Sequence, residues 1–193
     1  MRKDFQVSPE ETDEIMRIFR EVLDVLGDAV EFGCYQGDSS VIFQKILEES
    51  GSDKKLWLYD SFAGLPKKSG FDASSAGENF KEGGLPASKA ELVRRFKKMN
   101  LRVPIIRKAF FEDLTETDVP ETISFGFLDG DFYQSIKTSL QLSAPRVVKG
   151  GVLIVHDYNN PELPGPARAV EEFLKMRPDL KFSQRLTLGI IRF

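Results

Sequence analysis

The chain predicts an α/β fold: a doubly wound, mostly parallel sheet that finishes in an antiparallel hairpin. Three observations carry this. From residue 28 onward, short apolar runs alternate with stretches of helical periodicity; most of those runs end on an acidic side chain followed by a turn; and the last two runs follow one another with no helix between them. Strands that alternate with helices lie side by side with helices on both faces. Right-handed crossovers then bring the strands' carboxyl ends to one edge, where ligands bind.

Ser8-Pro9-Glu10-Glu11 starts a helix, because Ser8 can cap, Pro9 suits the first helical position and Glu11 completes a capping box. Ile15, Ile18, Phe19, Val22, Leu23 and Leu26 keep helical spacing up to Gly27, so one helix is expected over residues 9 to 26. Ala29 to Phe32 is the first strand. It runs through Glu31 into Gly33-Cys34-Tyr35-Gln36-Gly37-Asp38-Ser39-Ser40, a tight turn that opens a helix carrying Val41, Ile42, Phe43, Ile46 and Leu47 to Gly51. Glycine serves where backbone must turn with positive φ or lie directly against a ligand, and a helix N-terminus behind such a turn offers unpaired N–H groups.

Leu56 to Asp60 is the second strand and again ends on an acid, about thirty residues beyond the first. An acid there can accept hydrogen bonds from both ribose hydroxyls. Residues 61 to 87 lack periodicity and contain Gly64, Pro66, Gly70, Gly77, Gly83, Gly84 and Pro86. A loop this long in a compact domain is usually functional, and it is expected to cover a substrate. Ser88 and Glu91 read as a second capping box ahead of Leu92, Val93, Phe96 and Met99, and Val103 to Arg107 as the third strand. Phe125 to Leu128 is the fourth, ending in Asp129-Gly130-Asp131, with Asp131 read as the cap of a helix through Ile136, Leu140 and Ala144. Gly151 to Val155 is the fifth, ending in His156-Asp157. Gly165-Pro166 starts a last helix, ended by Pro178, and Leu180 to Ser183 with Leu186 to Phe193 close the sheet as a hairpin.

At 193 residues, one domain over residues 1 to 193 is expected. No window approaches the roughly 20 apolar residues of a membrane span, and Met1-Arg2-Lys3-Asp4-Phe5 is followed by no signal-peptide core, so a cytoplasmic location is expected. The single cysteine, Cys34, excludes an internal disulfide and reads as a small buried apolar residue. A net charge of −3 disfavours a nucleic-acid partner, which calls for clustered Lys and Arg, and favours a small molecule.

Strand ends carrying Glu31, Asp60, Asp129 and Asp157 concentrate the chemistry at one edge. The dinucleotide fingerprint fails for want of a third glycine, a phosphate-binding P-loop for want of Gly-Lys-Ser/Thr, and an α/β-hydrolase for want of a nucleophile elbow. What remains is a ligand with ribose but no phosphate, since Glu31 would repel a pyrophosphate. S-adenosylmethionine (SAM) meets both conditions, and its cationic amino and sulfonium groups suit an acid-lined edge.

Several motifs together resemble one family. E-F-G-C-Y-x-G-D-S-S from Glu31, Y-D-S-F-x-G-L-P at 59 to 66, L-D-G-D-x-Y-x-S at 128 to 135, V-x-G-G-x-x-I-x-x-D-Y at 148 to 158 and G-x-x-R-A-V-x-x-F at 165 to 173 are similar to the macrocin O-methyltransferase (TylF-like) family. The resemblance implies a Rossmann-like class I methyltransferase with a seven-stranded sheet, transferring a methyl group from SAM to a hydroxyl of a small acceptor. It implies Glu31, Gly33, Gly37 and Ser39 at the methionine end of SAM, Asp60 and Ser61 at the ribose, and Phe111 and Glu112 beside the adenine. It implies a divalent metal, usually magnesium, on Asp129, His156 and Asp157. Here the chain departs from the family's Asp-Asp-Tyr, with His156-Asp157-Tyr158 instead, and imidazole suits zinc, iron or nickel better than magnesium. Asp129 or His156 would take the acceptor's proton. A non-catalytic SAM- or metal-binding module remains the alternative. A homodimer through the first helix or the long loop is compatible with either.

Overall fold

The computed structural model describes residues 6–75 and 79–193. The Met1–Phe5 segment and residues 76–78 of the long loop, Gly77 included, lie outside them. Seven strands form one sheet in the order β3-β2-β1-β4-β5-β7-β6. They are β1 (Asp28–Phe32), β2 (Leu56–Asp60), β3 (Ile105–Lys108), β4 (Ile123–Leu128), β5 (Val147–Val155), β6 (Lys181–Arg185) and β7 (Leu188–Arg192). The first five run parallel, and β7 pairs antiparallel with both β5 and β6. The closing hairpin therefore enters the sheet by its second strand. Among the described residues five α-helices cover the faces: α1 (Pro9–Glu21), α2 (Asp38–Glu49), α3 (Lys89–Lys98), α4 (Tyr133–Ser143) and α5 (Pro164–Met176).

Alternation along each strand sends neighbouring side chains to opposite faces. Ala29, Phe125, Phe127, Val152, Ile154 and Ile190 pack with Ile15, Ile18 and Phe19 of α1, Phe43 and Leu47 of α2 and Phe96 of α3. Val30, Phe32, Leu128, Leu153, Val155 and Ile191 pack with Ile136 and Leu140 of α4 and Ala169 and Val170 of α5. On β1 this places Glu31 on the same face as Ala29, toward α1 to α3. Among the described residues no helix is long and apolar enough to cross a membrane.

Several element bounds differ from the sequence reading. Helix α1 stops at Glu21, where Val22 leaves helical geometry, instead of reaching residue 26. Strand β5 begins at Val147, which pairs with Ile123; the register then shifts, past Lys149 and Gly150, before Val152 pairs with Phe125. Strand β3 lies at 105–108, shifted from the expected 103–107, at the sheet edge. At α3 the Ser88 hydroxyl accepts from the Glu91 N–H, and the Glu91 carboxylate turns to Arg94 at 3.5 Å, so only the Ser88 half of the expected box forms.

The loop from 61 to 87 is anchored at several points. Leu65 exchanges backbone hydrogen bonds with residues 83 and 84. Asp72 is buried and accepts from the Tyr133 N–H at 2.6 Å, which caps α4. Arg168 lies over the Phe71 ring at 3.8 Å, so its guanidinium is engaged by this loop. Asp131, expected to be the cap of α4, is left free of that role by Asp72 and takes a left-handed φ of 59°.

Candidate functional site

The site forms where the central ladders overrun their strands by one residue. Gly33 N–H donates to the Tyr59 carbonyl at 2.8 Å, Asp129 N–H to Phe32 at 2.8 Å and His156 N–H to Leu128 at 3.0 Å. Because β1, β2, β4 and β5 are in register at Phe32, Tyr59, Leu128 and Val155, these bonds bring Gly33, Asp60, Asp129 and His156 to one level. The turns that follow are tight. Among the described residues, seven non-glycine residues have positive φ, and Tyr35, Phe62, Asp131 and Asp157 follow these four strands. Such conformations cost free energy and cluster where backbone geometry serves a site.

Gly33 is dictated by packing as well as by turn geometry. At φ 89° a Cβ would run into the Asp129 carbonyl, so β1 and β4 could not close at their carboxyl ends. Gly37, at φ 82°, opens α2, and a Cβ there would meet the Leu92 side chain. Glu31 lies one layer behind this turn. It is fully buried and its two oxygens accept from the Ser39 and Ser40 hydroxyls. Burial pushes its carboxyl up to about 8 against the serine hydroxyls, with Asp129 and Asp60 adding to the rise. Glu31, expected at the methionine end of the ligand, turns its side chain to Ser39 and Ser40 at the α2 N-terminus, and of these residues Ser39 lines the open space.

That space consists of two adjoining hollows that share Gln6, Gly33, Tyr35, Leu85 and Asp129. One, of about 600 Å³ with the solvent at its mouth included, is walled by Asp60 and Ser61, by Phe111 and Glu112, and by Gly130 and Asp131. The other, of about 930 Å³ on the same measure, follows the turn from Gly33 through Cys34 and Gly37 to Ser39 and is roofed by Val7 and Thr12. Among the described residues, every charged residue lining either hollow is acidic: Asp60, Glu112, Asp129 and Asp131 in the first, Asp38 and Asp129 in the second.

Asp60 accepts from the Tyr35 N–H at 2.8 Å and the Phe62 N–H at 2.7 Å. Burial nevertheless raises its pKa. Ser61 donates to the Gly64 carbonyl at 2.9 Å and accepts from the Ala63 N–H at 3.0 Å, so its hydroxyl is occupied by the turn. Phe111 is buried and faces the first hollow, whereas Phe62 belongs to the core. Cys34 is buried, and burial with the charges of Asp60 and Glu31 pushes its thiol up, as suits an unreactive packing residue.

Asp129, His156 and Asp157 converge, with one donor atom from each within 4.8 Å of the others. The His156 Nδ1 lies 2.8 Å from Asp129 Oδ1 and 3.1 Å from Asp157 Oδ2, while Nε2 lies 3.9 Å from Glu11 Oε2. Burial alone would lower the imidazole pKa, but the surrounding carboxylates outweigh it and hold it well above the ordinary value. The Glu11 carboxyl is held far below its usual range by His156, and against burial by Thr187 and Ser8. Neither His156 nor Asp157 lines the hollows; Asp129 and Asp131 do. Burial, with Asp129 and Asp157 nearby, raises the Asp131 pKa.

This donor set does not fit magnesium. That ion takes oxygen ligands at roughly 2.0–2.1 Å in near-octahedral geometry, whereas here a ring nitrogen stands between the two carboxylates that would share it. Two residues of the cluster were not legible as part of it. Glu11 reads fully as a cap, and only the fold carries it to His156; Asp131 reads as a cap until Asp72 is seen in that place.

A sheet with this strand order and a ligand edge at the β1/β4 switch point defines a class I methyltransferase fold. The chain matches the model of the macrocin O-methyltransferase (TylF) family over residues 11–181, and it belongs to that family. It is 30% identical over 141 residues to the 8-demethyl-8-(2,3-dimethoxy-alpha-L-rhamnosyl)-tetracenomycin-C 4'-O-methyltransferase of Streptomyces olivaceus, covering 69% of this chain and 54% of that one. It is also 30% identical over 157 residues to the mycinamicin III 3''-O-methyltransferase of Micromonospora griseorubida, covering 77% and 61%. The O-methyltransferase NovP superposes with a TM-score of 0.79 at 27% identity, over 94% of this chain and 78% of that one. The chain thus spans little more than half the length of the curated relatives it matches.

Proposed function

We propose that the chain is a SAM-dependent O-methyltransferase acting on a hydroxyl of a small molecule, a sugar or phenolic group; the Streptomyces olivaceus relative's name describes a rhamnosyl-bearing acceptor. The observation that carries this reading is the all-acidic lining of the two hollows. A dinucleotide or nucleotide phosphate would meet only like charge there, while a ligand bearing a sulfonium and an ammonium meets charges of opposite sign. Adenosine lies in the first hollow, with Asp60 accepting from the ribose hydroxyls and Phe111 and Glu112 beside the base. The methionine end lies along Gly33 to Ser39 in the second, and the sulfonium sits between them, beside Asp129.

Transfer is an in-line displacement. The acceptor oxygen bonds to the methyl carbon as the carbon–sulfur bond breaks, S-adenosylhomocysteine leaves as a neutral thioether, and the hydroxyl proton passes to a base. Alignment of donor and acceptor supplies roughly 7–11 kcal/mol of the barrier reduction. Asp131 is the proton acceptor in this reading, because it faces the hollow and its carboxylate takes no hydrogen bond among the described residues. Of the two residues the sequence offers as base, Asp129 and His156, His156 is set back from the hollow with both nitrogens facing acids and Asp129 is paired with it, so in this reading the proton goes to Asp131 and Asp129 is left to orient the site. Leu65, Pro66 and Leu85 of the 61–87 loop form the wall over the acceptor.

A coupled assay for S-adenosylhomocysteine release with a panel of hydroxylated sugars and phenols tests the reading. Turnover that Asp131→Asn lowers by about 10²-fold or more supports it. Cofactor binding with no turnover on any acceptor would favour the non-catalytic module.

A further inference from the structure

We propose that His156 closes the Asp129–Asp157 pair to divalent cations, its Nδ1–H taking the position between the two carboxylates that an ion would occupy, and that it acts as the positioning residue for Asp129. An ion joining those acids would need an oxygen of each within its first coordination sphere, and the imidazole nitrogen already stands 2.8 and 3.1 Å from those oxygens. A nitrogen between two carboxylate acceptors must carry a hydrogen, so it presents no lone pair to a metal.

The ring cannot readily swing aside. Its backbone N–H is tied to the Leu128 carbonyl at 3.0 Å, and Phe127 packs 6.0 Å from it, centroid to centroid. Its Nε2 faces Glu11, which Ser8 and Thr187 fix by hydrogen bonds. On the other side Asp157 is held by Asn160 Nδ2 at 2.8 Å. Rotating the ring outward would leave the buried Glu11 carboxylate without its cationic partner, a large penalty for a group out of water. The arrangement does by side chains part of what a bound ion would do for the same pair: a charged imidazole offsets one of their two negative charges and fixes Asp129, which lines both hollows.

The proposal takes only the location of the site from the proposed function. Ion binding is measured with no cofactor present, so its failure and the failure of the methyltransferase reading are separate results. His156 is the only histidine in the chain, so its ring signals identify themselves in a nitrogen-correlated NMR spectrum. Titration of the wild type with Mn²⁺ is expected to leave those signals sharp and to show no saturable loss of the free-ion electron paramagnetic resonance. His156→Asp, which restores an acid pair, is expected to bind one Mn²⁺ at least roughly 10- to 100-fold more tightly than the wild type. Saturable broadening of the wild-type ring by one ion per chain overturns the proposal, as does a folded His156→Asp chain that binds Mn²⁺ no better. If that variant does not fold, the wild-type titration decides alone.

Discussion

At the scale of single residues, Asp60 serves the fold and, in the proposed reading, the ligand as well. Its two oxygens already accept from the Tyr35 and Phe62 N–H groups, which fixes the carboxylate at the mouth of the first hollow with lone pairs left for a diol. Asp60→Ala is expected to weaken S-adenosylhomocysteine binding by about 10- to 100-fold, the loss of one or two charge-assisted hydrogen bonds, as isothermal calorimetry would read; unchanged affinity would remove Asp60 from the site. Glu31 makes a different prediction. Its folded pKa of about 8 lies above the usual carboxylate value of 4.5. The stability its protonated form lends is therefore full below about pH 4.5 and is lost as pH rises through about 8. Within that window the wild type should lose up to about 1.4 kcal/mol per pH unit relative to Glu31→Gln. Urea midpoints of the two proteins at about pH 5 and about pH 8 test the sign: the gap must move in favour of Gln as pH rises.

At the scale of elements, the helix starts show what local sequence can and cannot reveal. The start of α1 is legible because Ser8 and Glu11 cap it within one turn. The start of α4 is not, since its cap arrives from Asp72, separated by 61 residues and lying in a stretch with no periodicity. The sequence shows strand β5 only from Gly151 onward, because Lys149 and Gly150 break its apolar run where the β4–β5 register shifts between the Val147 and Val152 pairs. Asp72→Ala removes the bond to Tyr133 and the bonds from the Ser69 N–H and hydroxyl at 2.8 and 2.6 Å. A loss of about 1–2 kcal/mol is expected, with faster amide exchange confined to residues 69–75 and the first turn of α4. Exchange unchanged there would mean the loop is held by other contacts.

At the scale of the whole molecule, the sheet order follows from a periodicity that the sequence displays openly, and so do the five parallel strands and the acids at their ends. Hidden from it were the contacts that join distant segments: Glu11 of α1 meeting His156 after β5, and the hairpin entering through β7. The first goes with the packing of α1 on one face of the sheet, where Phe19, Phe43 and Phe125 meet with ring centroids 4.6–5.2 Å apart. Phe125→Ala should cost about 3–5 kcal/mol and lower Tm by about 6–20 °C; a shift within about 2 °C would show that this cluster does not hold the two layers together. Whether the acid-lined edge of this sheet is a SAM pocket is decided by calorimetric titration of the purified chain with S-adenosylhomocysteine. Saturable binding of one ligand per chain, weakened by Asp60→Ala, is expected, whereas a folded wild-type chain that shows no heat of binding would rule the pocket out.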